Sequence, residues 1–149
     1  PFFLQDGPAV VLGRGEKVEI ERPFEGLQGR GVLLIHPGFG VSTPWAYRSL
    51  NMSNETIGEE RQIEVALGSL RKGEFSCLFN SFEKPVFEKH LILSVLKEFL
   101  LRHGAIGALM SGSGSTTFAV TEDVLVAESL RSKFHQEFGQ AWWSEAVSL

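Results

Sequence analysis

The chain has 149 residues, a hydrophobic fraction of 43% and a net charge of −4, which provides for one core of about a domain's size and leaves no basic stripe for a nucleic-acid backbone. A single cysteine, Cys77, excludes an internal disulfide and fits a reducing compartment. The longest apolar run, residues 91–101, is interrupted by Ser94, Lys97 and Glu98 and does not reach transmembrane length, and the opening Pro1-Phe2-Phe3-Leu4 reads as a piece cut from something longer rather than as a signal peptide.

Residues 10–12 and 17–21 read as two short strands around Gly13-Arg14-Gly15. Gly31–His36 is a buried strand, Val32-Leu33-Leu34-Ile35 at its centre, closed by Pro37-Gly38. A loop rich in Gly, Ser, Thr and Pro is expected over residues 37–44, and a polar surface loop over 51–59. A helix over 60–70 puts Ile63, Leu67 and Leu70 on one face. The strongest helix is expected over 82–103, where Leu93, Leu96 and Leu100 recur at helical spacing, as do Phe87, Leu91 and Val95. Asn80 and Glu83 have the spacing of a capping box at its start, and Gly104 suits its end. Two strands, 105–109 and 118–120, flank a glycine-rich turn. Thr121 is expected to cap a helix over 122–138 with Leu130, Phe134 and Phe138 on one face, and 141–147 reads as a last strand. This order implies an α+β fold with helices on one face of a mostly antiparallel sheet.

The turn itself, Met110-Ser111-Gly112-Ser113-Gly114-Ser115-Thr116-Thr117-Phe118, carries the most information. Two glycines one residue apart, flanked by hydroxyls, give a backbone whose N–H groups can approach a phosphate closely. No Lys completes a P-loop, and Thr117 stands where a dinucleotide fingerprint has its third glycine. On residues alone the run is either a phosphate-facing loop or a plain hairpin turn. The second candidate is the loop Pro37 to Tyr47, which places Ser42, Thr43, Pro44, Trp45 and Tyr47 just after a buried strand. Its rings either stack on a base or plug the core.

The remaining polar residues read as structural. His36, His90, His103 and His135 lack metal-ligand spacing and are assigned to strand ends and helix surfaces, so no metal ligand is named. Cys77 reads as buried packing. Asp123 reads as first-turn helix chemistry and Asp6 as a turn residue, neither as a general base. No GxSxG elbow is present.

Taken in order, several motifs act together: Pro1-Phe2-Phe3, Gly7-Pro8-Ala9, Gly13-Arg14-Gly15-Glu16, His36-Pro37-Gly38, Ser42-Thr43-Pro44 with Tyr47, Asn80-Ser81-Phe82-Glu83 and the Gly-Ser-Gly run. Over nearly the whole chain this series resembles the C-terminal half of the 4-diphosphocytidyl-2-C-methyl-D-erythritol kinases, a family of the GHMP kinase superfamily. The resemblance implies transfer of the γ-phosphate of ATP, with magnesium, to a hydroxyl of a cytidine-diphospho methylerythritol in non-mevalonate isoprenoid (terpenoid) biosynthesis. It implies that Tyr47 stacks on the cytosine ring, that Ser42, Thr43 and Pro44 shape the same pocket, and that Ser111, Gly112, Ser113 and Gly114 support the phosphate loop.

The same resemblance implies a ferredoxin-like α+β plait over residues 25–149, with 1–24 the tail-end β segment of the preceding kinase domain and Phe2, Phe3, Val10 and Val11 left exposed or mispacked. The family's catalytic aspartate immediately precedes the Pro-Phe-Phe segment, and its ATP loop and lysine lie upstream. No catalytic residue or metal ligand is therefore expected within the chain. ATP and Mg2+ are expected to be bound mainly by the N-terminal half, and the chain alone is expected to be inactive. Asn80-Ser81-Phe82-Glu83 departs from the family's Asn-Asp pattern and is assigned only a helix cap. The expected partners are a small-molecule substrate and the chain's own N-terminal domain, with no nucleic acid or membrane; the expected compartment is the cytoplasm, or the plastid stroma in a plant-type source. Other readings stay open: a superfamily kinase for homoserine, mevalonate or a sugar, a non-catalytic α+β binding module, and, by fold analogy, a regulatory ligand-binding domain.

Overall fold

A computed structural model describes residues 7–13, 16–52 and 60–149. Phe2, Phe3, Asp6, Arg14, Gly15 and the expected loop residues 53–59 lie outside the described residues. The elements run β1 (Ala9–Leu12), β2 (Lys17–Ile20), a 3-10 turn (Glu25–Leu27), β3 (Gly31–His36), α1 (Thr43–Met52), α2 (Glu60–Arg71), α3 (Glu83–Lys89), α4 (Leu91–Arg102), β4 (Gly107–Met110), β5 (Thr117–Thr121), α5 (Val124–Phe138) and β6 (Trp143–Ser148).

The unbroken apolar run of β3 makes it a central strand. It pairs antiparallel with β5 on one side and β6 on the other, and β4 pairs with β5 at the edge, giving the order β4-β5-β3-β6. With its helices between β3 and β4 and between β5 and β6, this is the ferredoxin-like plait. Leu33 faces Ala119 on one neighbour and Ala146 on the other. These small residues, with Ala108, let two helices settle close to the sheet: Leu96 and Leu100 of α4 and Leu130 and Phe134 of α5 complete the buried cluster. The opposite face carries Leu109 and Phe118, cross-strand partners that floor a cleft. The β1–β2 hairpin stands as a separate two-stranded sheet, tied to α2 by Arg71 and Glu21 at 2.8 Å, with Val11 and Ile20 exposed.

Several local expectations are corrected. Residues 43–52 form helix α1 rather than the end of one loop and the start of another: Ser42 stands at the N-cap position, its carbonyl accepts the Ala46 N–H at 2.9 Å, and Pro44 sits in the first turn, where its missing N–H costs nothing. The single helix over 82–103 is two helices that break at His90 (φ −125°, ψ 70°), which closes α3 by donating its N–H to Val86 and opens α4 by accepting from Leu93. Within α4, Leu91 and Val95 lie away from the buried Leu93, Leu96 and Leu100 and are exposed, so they form no buried face. The capping box does not form, because Phe82 precedes α3 without a side-chain cap. Asp123, not Thr121, caps α5, its Oδ1 accepting the Val126 N–H at 2.9 Å. The last strand begins at Trp143.

Candidate functional site

A cleft of about 450 Å3 opens on the face of the sheet away from α4 and α5. Tyr47 and Leu50 from α1, Phe79, Asn80 and Phe82 from the segment before α3, and Leu109, Ser111, Gly112 and Phe118 from the β4–β5 hairpin line it. Its surface is mostly aromatic and aliphatic, with a few hydroxyl and amide groups, which suits a flat partly polar ring.

The two aromatics of the Ser-Thr-Pro segment separate. Helical geometry points Trp45 into a small core with Val86 and Leu93, where Lys89 Nζ lies 4.0 Å from its ring centroid. Tyr47, two residues on, faces the cleft and is 50% exposed, with its ring set edge-on to Phe82 at 4.9 Å. The plug reading therefore holds for Trp45 and fails for Tyr47. Ser42, Thr43 and Pro44 form the start of α1. From there the Thr43 hydroxyl reaches the Ser113 hydroxyl at 2.9 Å, a bond between the two segments that the sequence singled out.

The glycine run is a tight turn. Gly114 donates its N–H to the Ser111 carbonyl at 2.9 Å, and Ser111 donates to Thr116 at 2.8 Å. Gly112 (φ +54°) and Gly114 (φ +89°) both use the left-handed region. The Ser115 hydroxyl bonds to the Phe39 carbonyl, and His36 Nδ1 lies 3.2 Å from the Thr116 hydroxyl. His36 is thus a strand-end residue with a defined partner. His90 stacks on Phe39, His103 closes α4, and His135 bonds to Ser144 at 2.7 Å. Cys77 is half-buried and accepts from the Ser69 hydroxyl.

Of two residues that the sequence leaves without chemistry, Asn80 lines the cleft and Glu83 stands behind it against Met110. Asn80 Nδ2 donates to the carbonyls of Met110 (2.7 Å) and Gly112 (2.8 Å), and Glu83 Oε1 accepts the Met110 N–H at 2.9 Å. Their capping-box spacing masks this role, because the partners lie at the end of β4 and in the turn after it. Among the described residues no three His, Cys, Asp or Glu side chains gather as a metal site, and no helix is long and apolar enough to cross a membrane.

Residues 63–140 match the family model for the GHMP kinases C terminal. The 4-diphosphocytidyl-2-C-methyl-D-erythritol kinase of Synechococcus sp. (strain JA-2-3B'a(2-13)) is 33% identical over 93% of this chain and 47% of its own length. The kinase of the same name from Nitratidesulfovibrio vulgaris (strain DP4) is 41% identical over 80% of this chain and 42% of its own. A crystal structure of 4-(cytidine 5'-diphospho)-2C-methyl-D-erythritol kinase superposes with a TM-score of 0.71 at 25% identity, covering 95% of this chain and 50% of that one. The chain thus spans about half the length of the relatives it matches. The matched span takes in α3, α4, the β4–β5 hairpin and α5, and the chain belongs to the GHMP kinases, whose C-terminal domain it carries.

Proposed function

We propose that the chain is the C-terminal half of an ATP-dependent kinase that phosphorylates a hydroxyl of 4-diphosphocytidyl-2-C-methyl-D-erythritol in non-mevalonate isoprenoid biosynthesis. The carrying observation is that Tyr47 and the Ser111–Gly112 limb of the turn, distant in sequence, line one cleft. Tyr47, buttressed by Phe82, offers a ring for the cytosine to stack on. Ser42, Thr43 and Pro44 fix the start of α1 and hence the placement of Tyr47, and Thr43 holds the turn through Ser113. The names of the relatives support the choice of substrate over homoserine, mevalonate or a sugar.

ATP supplies the transferred phosphoryl group. The Ser111 to Gly114 turn fits a neighbouring polyphosphate: it carries two hydroxyls, and a Cβ at Gly112 would meet nothing within 4 Å, so its backbone is open to approach. Magnesium would accompany the ATP, and no ligand for it is assigned among the described residues. The ion, the catalytic aspartate and the ATP loop are assigned to the N-terminal half, and residues 1–24 are assigned to the tail of that half.

The test uses residues 1–149 joined behind the N-terminal half of the Synechococcus relative. Cytidine diphosphate is titrated in and followed by NMR at the Tyr47 ring and the Gly112 amide. Saturable shifts at both positions are expected. A titration that moves neither, in a folded protein, overturns the cytidine assignment.

A further inference from the structure

The free edge of β4 is capped at Met110 by side chains rather than by another strand. In the order β4-β5-β3-β6, β4 pairs among the described residues only with β5, so one row of its backbone groups faces outward. At Met110, the last residue before the glycine turn, both outward groups are taken: Glu83 Oε1 accepts the N–H and Asn80 Nδ2 donates to the carbonyl. The second proton on Asn80 Nδ2 goes to the Gly112 carbonyl. One amide nitrogen thus pins two carbonyls on either side of Ser111, where the strand becomes the turn. Asn80 Oδ1 accepts the Phe82 N–H at 2.9 Å, which fixes which end of the amide faces the turn. Glu83 Oε2 meets Lys97 Nζ at 2.5 Å, and the Glu83 side chain is only 14% exposed. Lys97 comes from α4, whose Leu93, Leu96 and Leu100 are fully buried, so the clamp is anchored on the rigid core.

Resting on the kinase reading above, we propose that Asn80 and Glu83 are positioning residues, which by capping β4 at Met110 hold the Ser111–Gly114 turn in register for phosphoryl transfer. Neither touches the reacting atoms in this account; each acts through the main chain of Met110 and Gly112. The chemistry makes specific demands on both positions. Asn80→Asp keeps size and the bond to Phe82 but replaces two donated protons with a carboxylate oxygen facing two carbonyls. Glu83→Gln keeps an acceptor for the Met110 N–H and gives up only the charge opposite Lys97, whereas Glu83→Ala gives up both. Glu83 also stands outside the cleft lining, so its truncation leaves the acceptor's contacts in place.

The experiment compares Glu83→Ala, Glu83→Gln and Asn80→Asp with the unsubstituted joined protein. It reads amide hydrogen exchange from Gly112 to Thr116, and kcat and KM for phosphate transfer to the cytidine-diphospho acceptor. In Glu83→Ala the turn should exchange about tenfold faster, kcat should fall about tenfold or more, and the acceptor KM should stay within about twofold, because misplacement lowers turnover more than binding. Glu83→Gln should recover most of the lost turnover, and Asn80→Asp should match or exceed the loss in Glu83→Ala. Unchanged exchange in the turn, or unchanged kcat in Glu83→Ala, overturns the proposal. So does a kcat loss that Glu83→Gln shares in full, which would reduce Glu83 to a charge partner of Lys97. If the unsubstituted protein transfers no phosphate, the kinase reading falls separately, and exchange in the turn decides the clamp alone.

Discussion

Gly112 and Gly114 share a positive φ but differ in surroundings. A Cβ at Gly114 would fall 2.6 Å from Met110 Sδ, whereas one at Gly112 would enter open space. Gly114→Ala should therefore destabilise more than Gly112→Ala; strain at a left-handed position is about 1–3 kcal/mol, and Gly114 adds the displacement of a fully buried Met110. Thermal unfolding of both variants checks the ranking. Gly112→Ala should still reduce phosphotransfer in the joined protein, because a methyl group would stand where the backbone approaches phosphate. At the other end of the cleft, Tyr47→Ala should weaken binding of the cytidine-diphospho acceptor by about 1–3 kcal/mol, the loss typical of one base–aromatic stack. Calorimetric titration measures it, and an unchanged affinity removes Tyr47 from the site.

The elements that fix these side chains depend on α5 and on cap chemistry. Phe134 is fully buried against the sheet, with Phe138 and Trp142 beside it. Phe134→Ala should cost about 3–5 kcal/mol, visible as a lower denaturant midpoint. Asp123→Ala removes the side-chain cap of α5 and should cost about 1 kcal/mol. Strand β3, the β4–β5 hairpin, α2 and α5 could be read from the sequence because their periodicity or their glycine punctuation is local. Helix α1 could not: Ser-Thr-Pro looks like a breaker until Pro44 is seen to occupy a first turn. The break at His90 is not legible in the pattern because α3 and α4 each keep helical spacing on either side of it. Asn80 and Glu83 were misread for a related reason. Their spacing fits a local cap, while their hydrogen bonds run to Met110 and Gly112. The pairing of Thr43 with Ser113 was likewise beyond local pattern, although both segments were identified as site candidates.

At the scale of the whole molecule, the plait carries a cleft that, on the proposed kinase reading, forms one wall of the site. The cleft is open, the β1–β2 hairpin forms, among the described residues, a two-stranded sheet with Ile20 73% exposed, and two-stranded sheets are marginal by themselves. These features agree with a chain that spans about half of its relatives. Magnesium- and ATP-dependent phosphotransfer, run on the joined protein and on residues 1–149 alone, tests the account most directly, with the cytidine-diphospho methylerythritol, homoserine and mevalonate as acceptors. The account predicts transfer by the joined protein to the cytidine acceptor only, and none by the shorter chain. Transfer to homoserine or mevalonate instead, or to no acceptor by a folded joined protein, would contradict it.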